Sequence, residues 1–161
     1  MKFALRSLLA AIPILGLVIV TGCFNKSSTV EAPPFTLVNL NGESMSLSDF
    51  RNQPLAINFW QMNCPSCVAE LPYLNTAYRA NNVPIITIVM GASVEAVKTF
   101  MADNGYAFPV LIDGSATVGA SYGVRYTPTT FFVDREGLIS STKVGQFTSV
   151  SELEKALNGI G

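Results

Sequence analysis

Short apolar runs alternate with stretches of helical periodicity along most of this 161-residue chain. The first run, residues 8–20, carries no charge and is preceded by Lys2 and Arg6. Residues 25–34 are small and polar and end in Ala32-Pro33-Pro34, which suits a solvated tether. Residues 35–38 and 44–47 read as two strands around a turn at Asn41-Gly42, and Ser48-Asp49-Phe50 begins a short helix. Residues 55–60 are apolar apart from Asn58, too short for a helix and suited to a strand buried on both faces. A helix is predicted over 65–81, where Leu71, Leu74 and Tyr78 recur three and four apart. Next come a buried strand at 84–90 and a helix at 94–104 ended by Gly105. A strand at 109–112, a helical turn at 118–122, a strand at 129–134, its hairpin partner at 138–144 and a helix at 150–157 complete the chain. This order predicts an α/β domain whose sheet has parallel members covered on both faces and an antiparallel edge from the last hairpin.

The N-terminus changes the picture by adding a location. Basic residues, an apolar run and then Val20-Thr21-Gly22-Cys23 read as the n-region, h-region and processing site of an export signal. The tetrapeptide resembles the lipobox of bacterial lipoproteins, which implies cleavage before Cys23 and acylation of its sulfur. An uncleaved membrane anchor is the alternative, since residues 7–25 are free of charge and a short span needs about 17 residues. Pro13, Gly16 and the lipobox argue against it. In both cases the basic end stays cytoplasmic and the rest faces the periplasm or the cell exterior, held at the cell membrane. The expected organisation is a lipoprotein signal at 1–22, a tether at 23–34 and one domain at 35–161, long enough for its own core.

Charge and composition mainly exclude. Removing Lys2 and Arg6 from ten basic residues leaves eight against eleven acidic ones, so no basic face for nucleic acid is expected. The chain has no histidine, which removes Ser-His and Cys-His hydrolases, a haem attachment site after Cys67 and His-containing zinc or copper sites. Of three cysteines, Cys23 belongs to the signal, leaving Cys64 and Cys67 as a closed pair. Two thiolates make a poor metal cage, and neither a metal nor a diffusible cofactor is expected.

Cys64-Pro65-Ser66-Cys67 stands where the strand at 55–60 gives way to the helix at 65–81. With Cys64 in the first helical turn, orphan N–H groups and the helix dipole favour its thiolate and lower its pKa below the free value of about 8.5. Cys64 is therefore the expected attacking sulfur. Pro65 fits just inside the helix start, where a missing N–H costs nothing. Cys67 comes round to the same side, less exposed and able to resolve a mixed disulfide. Glu70 lies one turn further on the same stripe, where an apolar setting would raise its pKa and let it take a proton from Cys67 and return it. The alternative for Glu70 is an exposed carboxylate stabilised by the helix dipole. For Asn58 the simplest alternative is a hydrogen bond to neighbouring backbone. Pro72 removes one helical hydrogen bond and is expected to bend the helix.

Several stretches together resemble the TlpA/ResA-like branch of extracytoplasmic thiol-disulfide oxidoreductases, within the thioredoxin fold. They are Ala32-Pro33-Pro34-Phe35-Thr36-Leu37, Ile57-Asn58-Phe59-Trp60, Cys64-Pro65-Ser66-Cys67-Val68-Ala69-Glu70-Leu71-Pro72, and residues 122–134 with Thr127-Pro128 at their centre. The resemblance implies a mixed sheet flanked by helices with an N-terminal β-hairpin extension. It also implies a tuning role for Glu70, with Asn58 where thioredoxins carry a buried Asp, and a cis Thr127-Pro128 bond facing the dithiol. A cis bond there would turn the Thr127 backbone outward to pair with an extended client segment. Trp60 is read first as core and second as a residue lining the client groove. One departure is that Asn63, after Met62, stands where the family usually has Trp before the first Cys.

The functional expectation is a membrane-tethered, monomeric oxidoreductase that exchanges disulfides with exported proteins through a Cys64 mixed disulfide. The resemblance favours a reducing role, with apocytochromes among the clients and a membrane thiol as electron donor. An oxidant or isomerase of similar fold is the competing enzyme, since the reduction potential decides direction. A peroxidase is disfavoured because the Pro-x-x-x-Thr-x-x-Cys pattern is missing ahead of Cys64. From another class, a binding module would keep Cys64–Cys67 as a structural bridge, although so short a loop removes little chain entropy.

Overall fold

The computed structural model describes residues 30–80 and 83–160. Residues 1–22, expected to be an export signal, and Cys23 lie outside the described residues. Strands β1 (Val30–Glu31), β2 (Thr36–Asn39), β3 (Ser44–Ser46), β4 (Leu55–Trp60), β5 (Ile85–Met90), β6 (Val110–Asp113), β7 (Thr129–Val133) and β8 (Leu138–Val144) form one sheet. Its order is β1-β8-β7-β4-β5-β6-β2-β3. Helices α1 (Pro65–Ala80), α2 (Val94–Asn104), α3 (Thr117–Ser121) and α4 (Val150–Asn158) cover it, and Leu47–Phe50 forms a 3-10 turn.

Topology follows from connection lengths and handedness. β4, β5 and β6 are parallel neighbours joined through α1 and α2. Two right-handed crossovers stepping the same way along a sheet put both helices on one face. The return from β6 to β7 through α3 crosses the other face, and β7 then pairs antiparallel with both β4 and β8.

Strand alternation divides the core accordingly. Ala56, Trp60, Ile85, Val89 and Phe132 face α1, α2 and α4, meeting Cys67, Leu71, Leu74, Val97, Met101, Leu153 and Leu157. Leu55, Ile57, Phe59, Ile86, Ile88, Phe131 and Val133 face the other way, against Tyr122 and the N-terminal segment. All six residues of β4 are buried, as a central strand covered on both faces requires. Asn58 shares the α1 side with Ala56 and Trp60 by this alternation.

The N-terminal hairpin β2–β3 extends the sheet beyond β6, in antiparallel register. Residues 30–32, which the sequence assigns to a tether, belong to the sheet. Val30 and Glu31 pair with Ile139 and Leu138, Ala32 N donates to the Gly137 carbonyl at 3.0 Å, and Ala32 is 3% exposed. An unpaired edge on β8 recruits these residues, because backbone pairing depends little on side-chain type. α1 runs through Pro72 without interruption. α2 ends at Gly105 in the left-handed region, φ 66°, as its sequence predicts.

Candidate active site

β4 delivers the chain to the dithiol. After Trp60 a short loop leads to Pro65, the first residue of α1, so Cys64 sits one position earlier than the first turn, at the N-cap. Its carbonyl accepts from Val68 N at 3.1 Å and its Sγ accepts from Cys67 N at 3.2 Å. The sulfur takes the place of the hydroxyl or carboxylate oxygen that usually caps a helix. Ser66 adds a second donor, its hydroxyl 3.3 Å from Cys64 Sγ. Both donors favour a negative sulfur once the bond is reduced. Cys64 and Cys67 are joined as a disulfide with Cα atoms 5.2 Å apart. Cys64 is partly exposed, whereas Cys67 is enclosed at 0% exposure. An outside sulfur can therefore reach only one of the pair.

A loop 63 residues further along the chain closes the other side of the sulfur. The Thr127-Pro128 peptide is cis, and the Thr127 carbonyl oxygen lies 3.5 Å from Cys64 Sγ. Thr127 Oγ1 donates to Gln61 Oε1 at 3.3 Å, linking this loop to the one before Cys64. Behind it, Gly145 N donates to the Pro128 carbonyl at 2.8 Å. Pro128 is buried, Thr127 is partly exposed, and Tyr126 beside them is 73% exposed.

Below the disulfide lies a buried carboxyl. Glu70 is 0% exposed, one helical turn beyond Cys67. Its Oε1 accepts from Asn58 Nδ2 at 2.8 Å and its Oε2 from Phe147 N at 2.8 Å. Asn58 Nδ2 also donates to Thr130 Oγ1 at 2.9 Å, while Asn58 Oδ1 has no partner among the described residues. Burial pushes the Glu70 carboxyl up from 4.5 to about 7, against the opposing effects of these two donors and of Lys143. The exposed-carboxylate reading of Glu70 is thereby excluded. Asn58 bonds side chains instead of neighbouring backbone, because its strand neighbours already use their peptide groups in the ladder.

Trp60 takes the first of its two sequence readings, core, and the second, a place lining the client groove, is corrected. It is 0% exposed and belongs to the core over α1, with its ring 5.9 Å from Phe100. Even the last residue of a central strand is enclosed when helices cover that face. At the departure from the family pattern, Asn63 is exposed and Met62 packs against the core edge. Sequence reasoning missed Gln61, Thr130, Phe147, Lys143 and Glu152. Thr130 could have been found from its place in Thr127-Pro128-Thr129-Thr130, but Phe147 contributes a backbone N–H that no residue type announces.

A cleft of about 580 Å³ lies at the opposite end of the sheet, lined by Leu55, Val133 and Arg135 among others. At the dithiol, partly exposed Cys64 stands beside partly exposed Thr127 and the open ring of Tyr126. Such a surface suits a polypeptide.

Comparison with known proteins agrees with this geometry. The Redoxin family matches residues 27–157. Thiol-disulfide oxidoreductase ResA of Geobacillus kaustophilus is 32% identical over 160 residues, 95% of this chain and 91% of that protein. The crystal structure of StoA from Bacillus subtilis superimposes with a TM-score of 0.68 at 25% identity, covering 77% of this chain and 96% of that one. That of the pneumococcal exposed lipoprotein thioredoxin Etrx1, from Streptococcus pneumoniae, gives 0.69 at 28% identity, over 78% and 98%.

Proposed function

The chain belongs to the Redoxin family as a ResA-like thiol-disulfide oxidoreductase of thioredoxin fold, and from that premise we propose that it is a lipid-anchored, extracytoplasmic reductant of disulfides in exported proteins, apocytochromes among them. The carrying observation is the asymmetry of the pair: Cys64 partly exposed and faced by donors, Cys67 enclosed beside it. The Cys64 thiolate attacks a client disulfide, forming a mixed disulfide and releasing one client sulfur as thiolate. Cys67 then gives its proton to ionised Glu70 and attacks Cys64, which releases the second client sulfur. Two electrons have moved, the client holds two thiols, and Cys64–Cys67 is closed. A membrane thiol donor reopens it.

Client positioning falls to Thr127, whose peptide groups flank the sulfur on the cis-proline loop and suit pairing with an extended segment. Pro65 and Asn58 support the geometry of the helix start and of Glu70. The lipid anchor at Cys23 draws on the lipobox and on the likeness to a structure described as an exposed lipoprotein. Among the described residues no helix is long and apolar enough to cross a membrane. The test is trapping. Cys67→Ser should accumulate exported proteins linked through Cys64, released by reductant and absent from the Cys64→Ser, Cys67→Ser double variant. A Cys67→Ser chain that captures nothing while its Cys64 remains open to alkylation would count against the reading.

A further inference from the structure

Lys143, on β8, and Glu152, on α4, form a pair that the exchange steps above do not use. Lys143 Nζ lies 2.8 Å from Glu152 Oε1 and 5.1 Å from the centre of the Phe147 ring. The other Glu152 oxygen, Oε2, accepts from Thr148 N at 2.8 Å and from Thr148 Oγ1 at 2.9 Å. Residues 147 and 148 are held from outside, one by its ring under the ammonium and the next by its peptide and hydroxyl. Facing inward, Phe147 N donates to Glu70 Oε2 at 2.8 Å. Strand register supplies a second link: Lys143 stands opposite Thr130, whose hydroxyl shares the Asn58 Nδ2 group with Glu70 Oε1. The two oxygens of the buried carboxyl are thus tied to the surroundings of this pair, Oε2 directly through Phe147 in the loop between β8 and α4, and Oε1 through Asn58 to Thr130 opposite Lys143.

We propose that Lys143 and Glu152 are positioning residues for thiol-disulfide exchange: they clamp residues 147–148 so that the Phe147 N–H stays on the Glu70 carboxylate, and thereby set the pH at which Glu70 trades its proton with the dithiol. This rests on the reading of Glu70 as the proton partner of Cys67. The titratable and charged groups around Glu70 are Cys67 from its own helix, Lys143 from β8 and Glu152 from α4; Asn58 of β4 and Thr130 of β7 complete its surroundings. Lys143 favours the ionised carboxyl and Glu152 opposes it. The Lys143 side chain is 29% exposed and partly covered by an aromatic ring, so its field reaches Glu70 through protein instead of bulk water. Glu152 matters chiefly as the anchor of Lys143 and Thr148. Those contacts, Lys143 first, hold its own carboxyl at about 2.

The experiment uses the full chain in detergent micelles, reduced and carbon-13 labelled at Glu carboxyls, with the Glu70 signal assigned by Glu70→Gln. Exchange with a disulfide-containing peptide is followed against pH in parallel. Lys143→Met should move the Glu70 titration up by about half to one pH unit, with the exchange profile following, and Lys143→Arg should restore the original midpoint. In the Glu70→Gln background the same Lys143→Met change should leave the profile in place. An unmoved Glu70 midpoint in Lys143→Met overturns the proposal. So does a profile shift that survives Glu70→Gln, since the cation would then act on the cysteines directly. Carboxyl titration needs no client turnover, so absent exchange in the unaltered chain would count against the oxidoreductase role, and the clamp would still be judged by the midpoint.

Discussion

Glu70 shows how one residue's environment sets both chemistry and stability. Its folded pKa of about 7 exceeds the ordinary 4.5, so the native state binds a proton that the unfolded chain has already lost between those values. The contribution from Glu70 is therefore fully present below about 4.5 and is lost as pH rises through 7. Across that window the loss is on the order of 3 kcal/mol. Urea unfolding at pH 5 and pH 8 should show the higher midpoint at pH 5, and Glu70→Gln should flatten the difference. Glu152 titrates in the opposite sense, its stabilisation lost only as pH falls towards 2, so the two effects occupy separate windows. A pH 8 midpoint equal to that at pH 5 in the unaltered chain would mean that Glu70 ionises normally.

Among the elements, α1 links fold to reactivity, because its first unpaired N–H groups need an acceptor and Cys64 supplies sulfur. Serine at that position keeps an acceptor for Cys67 N, whereas valine does not. Reduced Cys64→Ser should therefore unfold at higher denaturant than Cys64→Val, the gap being about 1 kcal/mol, while both abolish exchange. Equal stabilities would show that the Cys67 N–H to sulfur contact contributes nothing as a cap. Most elements were legible in the periodicity, and α2 and β8 carry the predicted limits of 94–104 and 138–144. Their limits coincide with local signals, Ser93 and Gly105 around α2 and turns on either side of β8. β1 was not legible, because two residues, one of them the charged Glu31, become a strand only when an edge is offered to them.

For the whole molecule the consequence is that the sheet includes Val30 and Glu31, ahead of the Phe35 at which the sequence places the start of the domain. A chain beginning at Phe35 loses the β1–β8 pairing and the Ala32 N bond to Gly137. It should be destabilised by about 1 to 2 kcal/mol, measured by urea unfolding, with exchange intact. Activity is spared because β1 meets the start of β8, whereas the far end of β8 pairs with Thr129 beside the cis-proline loop. What the sequence determined by itself was whatever depends on short spacing: the strand and helix order, the Cys64–Cys67 pair, and Glu70 on the same stripe of α1. Tertiary structure alone decided which distant groups meet them. Thr127 reaches Cys64 across 63 positions and the Phe147 N–H reaches Glu70 across 77, while Trp60 is closed off by helices laid over its face. Local spacing fixes direction along one element, but burial, proton affinity and access arise where elements from different parts of the chain pack together.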